Sequence, residues 1–313
     1  MNNLMTDSYG RKMRKLRVSL LDACNFRCTY CMPETATFSK AHDLLSADEI
    51  SLIVSNLIKL GIEEVRLTGG EPTLRSELVE ISERLSEIPL KRLALTTNGF
   101  LLKKNLSALR RTNLDSINIS LDSLNRQNFL KLAKVDALEV VLDAIDSALD
   151  LGFQIKINTV LMKQNIFELE DLLEFARSRQ IEIRFLELMK IGVAINSFSE
   201  SFISAGHVID LLRRKYKMKQ VNTESDSTSF KYQLENGTRL GFIASESMPF
   251  CGNCSRLRLD SKGALRSCLM QEHKLNLRGV PFEDYAPVIK QVLKWKPNDR
   301  IEKIEQPMYQ IGG

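Results

Sequence analysis

Apolar and polar positions between residues 16 and 188 follow two alternating patterns. Short runs rich in Val, Ile, Leu and Thr have the composition of β-strands, and longer runs with apolar residues at helical spacing separate them. The predicted strands are 16–21, 64–68, 92–97, 116–121, 154–161 and 182–188. Further helices are predicted near 77–86, 104–111, 137–151 and 166–179.

The clearest predicted helix begins at Ser46. Ser46 and Glu49 have the S-x-x-E spacing of a capping box, and apolar residues at helical spacing follow from Ile50. Gly61 is the kind of residue that ends a helix, because glycine adopts the left-handed conformation without strain. We therefore predict a helix between Ser46 and Gly61.

Six successive strand–helix units predict an α/β protein with a parallel sheet. Right-handed crossovers would curl such a sheet into an incomplete, TIM-like (β/α)6 barrel, and a doubly wound open sheet is the competing fold. The repeat fades beyond Ile191. We expect a partial barrel over 1–190 and a separate C-terminal region over 191–313, which contains three of the six cysteines.

Composition narrows the class of protein. The chain has 313 residues, of which 43% are hydrophobic and 27% charged, so it is expected to fold as a globular protein. A net charge of +5 is mild and suits an anionic small ligand. Because no apolar run is long enough for a membrane span or a signal peptide, we expect a cytoplasmic location without membrane binding.

The first group of cysteines, Cys24, Cys28 and Cys31, has the spacing C-x3-C-x2-C after the first predicted strand. Three thiolates can hold three irons of a [4Fe–4S] cluster, which leaves the fourth iron open to a ligand such as the amino and carboxylate groups of S-adenosylmethionine. Zinc is the alternative, but no further Cys or His lies close enough in sequence to complete a four-ligand site.

The second group consists of Cys251, Cys254 and Cys268, and His273 follows it. The spacing of this group, taken alone, favours a zinc knuckle. The first group, however, indicates iron–sulfur chemistry, which favours an iron–sulfur cluster in the second group as well. Directly after Cys254, residues 255–259 have the pattern of a strand. Such a strand places two arginines on one face, where they suit a triphosphate, and these are Arg256 and Arg258.

The cysteine loop, together with the Gly69-Gly70-Glu71 loop after the second strand, resembles the radical S-adenosylmethionine superfamily. In that superfamily the Gly-Gly-Glu loop meets the amino group of the methionine moiety, and the carboxylate suits an ammonium group. The resemblance implies further contacts with this cofactor, to be made by Tyr30, Gly70, Ser120 and Met189.

The stretch 250–268 and the terminal Ile311-Gly312-Gly313 are similar to the GTP 3′,8-cyclase family of molybdenum cofactor biosynthesis, which the chain resembles over nearly its whole length. The resemblance implies two [4Fe–4S] clusters held by all six cysteines, the second of which binds guanine through its open iron. It implies GTP contacts at Arg17, Arg66, Thr96, Lys156, Arg256 and Arg258. It also implies that a tail ending in Gly312 and Gly313 enters the active site.

The family's reaction is a lyase reaction in which a 5′-deoxyadenosyl radical removes hydrogen from C3′ of GTP and the C3′ radical adds to C8. The product is (8S)-3′,8-cyclo-7,8-dihydroguanosine 5′-triphosphate, which a cyclic pyranopterin monophosphate synthase would then rearrange. The resemblance further implies a reductant protein such as flavodoxin or ferredoxin, and a monomer or homodimer.

Two other functions compete with this interpretation. A radical S-adenosylmethionine enzyme that modifies a peptide would also carry an auxiliary cluster, but it usually has more C-terminal cysteines than the three found here. A zinc-bearing nucleic-acid-binding protein would cluster basic and aromatic residues. Aromatic residues make up only 7% of this chain and its Lys and Arg are dispersed, so no nucleic-acid partner is expected.

Overall fold

The computed structural model describes residues 4–312, and strands alternate with helices through its first part. The strands are β1 (Lys15–Ser19), β2 (Glu64–Thr68), β3 (Arg92–Thr97), β4 (Leu114–Ser120), β5 (Gln154–Leu161) and β6 (Glu182–Glu187). The helices are α1 (Ala47–Leu60), α2 (Leu78–Ser86), α3 (Leu102–Leu109), α4 (Arg126–Ala133), α5 (Leu138–Asp150) and α6 (Leu169–Ser178).

The order of the strands in the sheet distinguishes the two predicted folds. Strands β1 to β6 lie side by side in chain order, and each pairs with the next in parallel. A doubly wound sheet would reverse its strand order at a switch point, and this sheet does not. The prediction of an α/β fold with an incomplete (β/α)6 barrel is therefore confirmed.

The C-terminal region extends the same sheet at both edges. Its elements are α7 (Ala194–Ser201), α8 (Ala205–Lys215), β7 (Met218–Val221), β8 (Phe230–Leu234), β9 (Arg239–Ile243), β10 (Arg256–Leu259), β11 (Ala264–Arg266), β12 (Lys274–Asn276), α9 (Tyr285–Lys294) and α10 (Met308–Ile311). β10 pairs in parallel with β1, and β9 pairs in parallel with β6. The predicted division of the chain at residue 190 stays a prediction.

Local signals in the sequence correspond to local structure. α1 has the predicted capping box, in which the side chains of Ser46 and Glu49 each accept from the other residue's backbone N–H. Gly61 ends α1 at a φ of 126°. The helix predicted over 166–179 is a 3-10 turn followed by α6, and α4 was not predicted at all. No helix within residues 4–312 is long and apolar enough to cross a bilayer.

The core lies between the sheet and the helices that surround it. Apolar residues from every one of the first six strands are fully buried there, among them Val18, Leu67, Leu95, Ile119 and Ile157. Their neighbours in each strand point to the opposite face, because side chains alternate along a strand. The inner face of the barrel therefore carries the polar and charged residues that form the site.

Candidate active site

The first cysteine group lies on a loop that follows β1 and is packed directly against backbone. The N–H of Gly70 donates to the carbonyl of Leu21 over 2.7 Å, and the next N–H donates to the carbonyl of Ala23 over 2.8 Å. A Cβ atom at Gly70 would lie 2.2 Å from the Ala23 oxygen. Only glycine permits this approach, so the glycine loop after β2 fixes the cysteine loop.

The carboxylate of Glu71 joins the loops after β2 and β3. It is buried, and it accepts hydrogen bonds from the hydroxyl of Thr97 and the backbone N–H of Asn98, both over 2.6 Å. It also accepts from the backbone N–H and the hydroxyl of Thr73. These four bonds occupy both oxygens. In this structure the carboxylate thus orders the loops around the cysteines.

The thiols of the first group are unpaired and close enough to influence one another. Burial raises the pKa of Cys24 to about 11 and that of Cys31 to about 12. It raises the pKa of Cys28 well above its ordinary value, and the charges of Cys31, Asp122 and Cys24 add to that effect. None of the three forms a disulfide. Three half-buried thiols at a cavity wall, which repel one another when ionised, fit a site where several iron ions compensate their charge.

Three of the four residues expected to contact S-adenosylmethionine lie together, and the fourth lies apart from them. Tyr30, Gly70 and Ser120 line one large cavity on the inner face of the barrel. The hydroxyl of Tyr30 donates to the carboxylate of Asp122 over 2.6 Å. Met189 is not among the residues of 4–312 that line the cavity. It lies just beyond β6 and packs against a small apolar cluster that includes Ile311.

The cavity has a volume of about 620 Å3, within the range of small-molecule sites. Its wall carries the first cysteine group and five of the six residues expected to contact GTP, which are Arg17, Arg66, Thr96, Lys156 and Arg256. Arg66 donates to the hydroxyl of Thr96 over 3.5 Å. The sixth residue, Arg258, is buried just outside this wall.

The cations of the cavity lie close together. Burial lowers the pKa of Arg17 well below its ordinary value, and the neighbouring charges of Arg258 and Arg256 lower it further. Burial likewise lowers the pKa of Lys156 to about 8, with a further contribution from Arg184. Crowded and buried cations are costly without an anion. The cavity is therefore suited to a ligand with several negative charges.

Two buried acceptors in the cavity wall have no hydrogen-bond partner within residues 4–312. They are the side-chain oxygens of Asn118 on β4 and Asn158 on β5. A buried polar atom without a partner is unfavourable, so these oxygens fit the donor groups of a ligand, such as ribose hydroxyls or amino groups.

Sequence reasoning missed a second set of charges, formed by Arg92, Arg184 and Lys231 in the same wall and by Glu182 beside them. The carboxylate of Glu182 accepts from Arg184 over 2.5 Å and from Lys231 over 3.1 Å. These residues come from three strands, and only the register of β3, β6 and β8 brings them together. The alternation of Glu182 and Arg184 along β6 was the available signal.

The second cysteine group lies between β9 and β12. Cys251 begins a 3-10 turn, Cys254 ends it, and Cys268 follows β11. Burial raises the pKa of Cys251. Burial also opposes ionisation of Cys254, but the charges of Arg256 and Lys296 outweigh it and lower the pKa of that thiol to about 6. A preformed thiolate suits a metal or cluster ligand.

The tail enters the barrel beside β1. α10 ends at Ile311, and Gly312 follows in the left-handed conformation with a φ of 79°. Its carbonyl accepts a hydrogen bond from Nη1 of Arg258. A Cβ atom at Gly312 would lie 2.7 Å from Cβ of Ser19. Gly313, the other tail residue expected in the site, lies outside the described residues.

Each of the two parts of the chain matches a known protein family. Residues 18–176 match the Radical SAM superfamily, and residues 181–300 match the Molybdenum Cofactor Synthesis C family. The first match covers the cysteine loop, the glycine loop and strands β2 to β5. The chain is a member of the radical S-adenosylmethionine superfamily of enzymes.

Curated relatives identify the family within that superfamily. The chain is 44% identical to the GTP 3′,8-cyclase of Synechocystis sp. over 314 aligned residues, which cover 100% of this chain and 96% of the relative. It is 38% identical to that of Campylobacter lari (99% and 100% covered) and 36% identical to that of Aquifex aeolicus (97% and 96% covered). The chain belongs to the GTP 3′,8-cyclase family.

Among solved structures, the fold is similar to that of Streptococcus suis SuiB. The crystal structure of SuiB bound to S-adenosylmethionine matches with a TM-score of 0.66 and 15% identity, over 91% of this chain and 69% of that one. The structure of SuiB bound to its precursor peptide SuiA matches with a TM-score of 0.64 and 14% identity. At this identity the likeness shows the fold alone.

Membership of the family also defines the cofactors. They are S-adenosylmethionine and two [4Fe–4S] clusters, and the two cysteine groups are consistent with that number. The chain thus has as many cysteine triads as clusters.

Proposed function

We propose that this enzyme converts GTP to (8S)-3′,8-cyclo-7,8-dihydroguanosine 5′-triphosphate, the first step of molybdenum cofactor biosynthesis. The observation that carries the proposal is the shared cavity. One space is lined both by the first cysteine group, beside which S-adenosylmethionine would bind, and by the basic residues Arg17, Arg66, Lys156 and Arg256. A nucleoside triphosphate bound to those cations would share the cavity with S-adenosylmethionine bound beside the cysteines.

The cluster ligands of the first group would be Cys24, Cys28 and Cys31. When bound, this cluster and S-adenosylmethionine supply the 5′-deoxyadenosyl radical after transfer of one electron. The loops of the chain would place that cofactor. Gly70 would offer backbone without a side chain at the methionine end, and Tyr30, whose hydroxyl donates to Asp122, would lie beside adenine. Ser120 and the backbone of Met189 would complete the contacts.

The triphosphate would be held by cations from four strands of the barrel, three of which are neighbours in the sheet. Arg17 and Arg256 come from β1 and β10, whereas Arg66 comes from β2 and Lys156 from β5. No glycine-rich phosphate loop is needed, because guanidinium groups can each donate two hydrogen bonds to phosphate oxygens. Thr96 and Arg258 would add further contacts. In this proposal the four cations would orient the nucleotide in the cavity that also holds S-adenosylmethionine.

The second cluster would be held by Cys251, Cys254 and Cys268. With three protein ligands, one iron has a free position, and guanine would occupy it. The low pKa of Cys254, about 6, supports ligation there because a thiolate is already favoured before a cluster binds. Gly312 and Gly313 would support the chemical step.

The partners of the enzyme follow from the chemistry. Electrons must come from a reductant, for which a small redox protein such as flavodoxin or ferredoxin is suited, and the product would pass to a cyclic pyranopterin monophosphate synthase. We further propose a cytoplasmic enzyme that acts as a monomer or homodimer.

The test is anaerobic reconstitution of the enzyme and of two variants, Cys28→Ser and Cys254→Ser. We expect about eight irons per wild-type chain, and conversion of GTP to its cyclised product in the presence of S-adenosylmethionine and a reductant. Cys28→Ser should abolish cleavage of S-adenosylmethionine. Cys254→Ser should retain cleavage without GTP turnover. Stoichiometric zinc in the second group, or the same cleavage defect in both variants with the first cluster assembled, would contradict the proposal.

A further inference from the structure

A buried lysine lies behind the second cysteine group. Lys296 follows α9, and only 3% of its surface is exposed. Its ammonium donates over 2.8 Å to the carbonyl of Arg256, over 2.8 Å to the carbonyl of Ser267, and over 3.6 Å to the sulfur of Cys254. An ammonium group has three N–H donors, so all of them are used.

These three acceptors belong to the two segments that carry the second cysteine group. Arg256 follows Cys254 on β10, and Ser267 directly precedes Cys268. The chain between those cysteines turns back through β11, so their relative position depends on contacts made across the fold. One ammonium group therefore joins the two segments.

The charge of Lys296 is compensated by sulfur. The sulfur of Cys254 lies 3.6 Å from its ammonium nitrogen, and Cys268 directly follows Ser267, whose carbonyl accepts from the same ammonium group. A buried ammonium group is stable only beside an anion. The thiolate of Cys254 is such an anion.

We infer that Lys296 is a positioning residue for the second cluster, which holds Cys254 and Cys268 in place and makes that cluster easier to reduce. A positive charge and an N–H donor near a thiolate ligand stabilise the reduced state, which carries one more negative charge. The inference rests on the proposed function in one respect, that the second cysteine group binds a [4Fe–4S] cluster.

The test isolates the second cluster in a full-length chain in which Cys24, Cys28 and Cys31 are replaced by serine. Three substitutions are compared in that background. Lys296→Met removes the charge and the donors, Lys296→Gln keeps a donor without the charge, and Lys296→Arg keeps both. The exposed Lys294, two residues earlier, gives the matched control Lys294→Met. Iron content and the midpoint potential, followed by electron paramagnetic resonance, are measured for each.

We expect Lys296→Met and Lys296→Gln to shift the midpoint potential to more negative values. We expect the midpoint potentials of Lys296→Arg and Lys294→Met to stay near that of the parent chain. Loss of the cluster in Lys296→Met and Lys296→Gln, but not in Lys296→Arg, would support the same role, because the charge would then be needed for cluster assembly. An unchanged potential in Lys296→Gln would overturn the inference. So would loss of iron in all three Lys296 variants, since that would indicate packing alone.

The two possible failures are distinguishable in the parent chain. If the second cysteine group there binds zinc or no metal, the proposed function fails. If it binds four irons and Lys296→Gln leaves their potential unaltered, only the inference about Lys296 fails.

Discussion

The carbonyl of Gly312 accepts a hydrogen bond from the guanidinium of Arg258, which links the tail to β10 inside the barrel. Arg258 is one of the residues expected to contact GTP, and its side chain is buried. If Arg258 contacts GTP as proposed, the tail and the substrate meet at the same cation. This contact explains physically how a C-terminal segment could influence the reaction without contributing to the core of the fold.

Deleting Gly312 and Gly313 should reduce formation of the cyclised nucleotide sharply. The shortened chain still ends with Ile311 in its apolar cluster, so we expect both clusters, the thermal midpoint and measurable cleavage of S-adenosylmethionine to be retained. Product formation and iron content are measured on the same sample. A truncated enzyme with the wild-type rate would contradict a role for the tail in the reaction, and a lost cluster would show that the tail is structural.

Gly312→Ala should resemble the truncation. The added methyl group would lie 2.7 Å from Cβ of Ser19, and the φ of 79° is itself unfavourable for alanine by about 1 kcal/mol. Gly237→Ala is the matched control, because Gly237 has a φ of 89° but open space around its Cβ position. We expect loss of product only in Gly312→Ala. Equal effects in both variants would assign the loss to backbone strain.

Arg256→Ala should weaken GTP binding by about 1.5–3 kcal/mol for each charged hydrogen bond that is lost. Arg258→Ala should weaken it too, although part of its effect would come from release of the tail. Guanosine lacks the phosphates, so its weak binding should hardly change. Binding is measured by titration calorimetry, with the exposed Arg177→Ala as control. The same loss of affinity for guanosine and GTP would indicate a folding defect.

GTP binding should weaken as the pH rises above 8. Burial lowers the pKa of Lys156 to about 8, so its ammonium is charged at pH 7 and mostly neutral at pH 9. The nearby carboxylate of Glu182, whose pKa is about 2, stays ionised throughout. Lys156→Arg keeps the charge and should flatten the profile between pH 7 and 9. Identical profiles for the two proteins would exclude Lys156 as the titrating group.

Much of the sheet could be predicted from the sequence because its signals are local. The capping box at Ser46 and Glu49, the buried β-rich strands and the cysteine loop all depend on neighbours in the chain. α4 was missed because it is short and only Phe129, Leu132 and Ala133 are buried in it. Asn125, whose side chain accepts from the N–H of Asn128 over 3.0 Å, was the available signal for its start.

The rest of the site depends on contacts between distant segments. Lys231 meets Glu182 only because β8 pairs with β9, which pairs with β6. Lys296 reaches Cys254 from the end of a helix that gives no sign of chemistry in its sequence. Such placements follow from sheet register and packing, and no local pattern encodes them.

Deuterium transfer from GTP labelled at C3′ tests the central claim most directly. If the cavity holds S-adenosylmethionine at the first cysteine group and GTP on its cations, the adenosyl group takes its hydrogen from C3′ of the ribose. We predict 5′-deoxyadenosine that carries the deuterium, in amounts that match the cyclised product. Unlabelled 5′-deoxyadenosine formed together with cyclised product would contradict this account of the site.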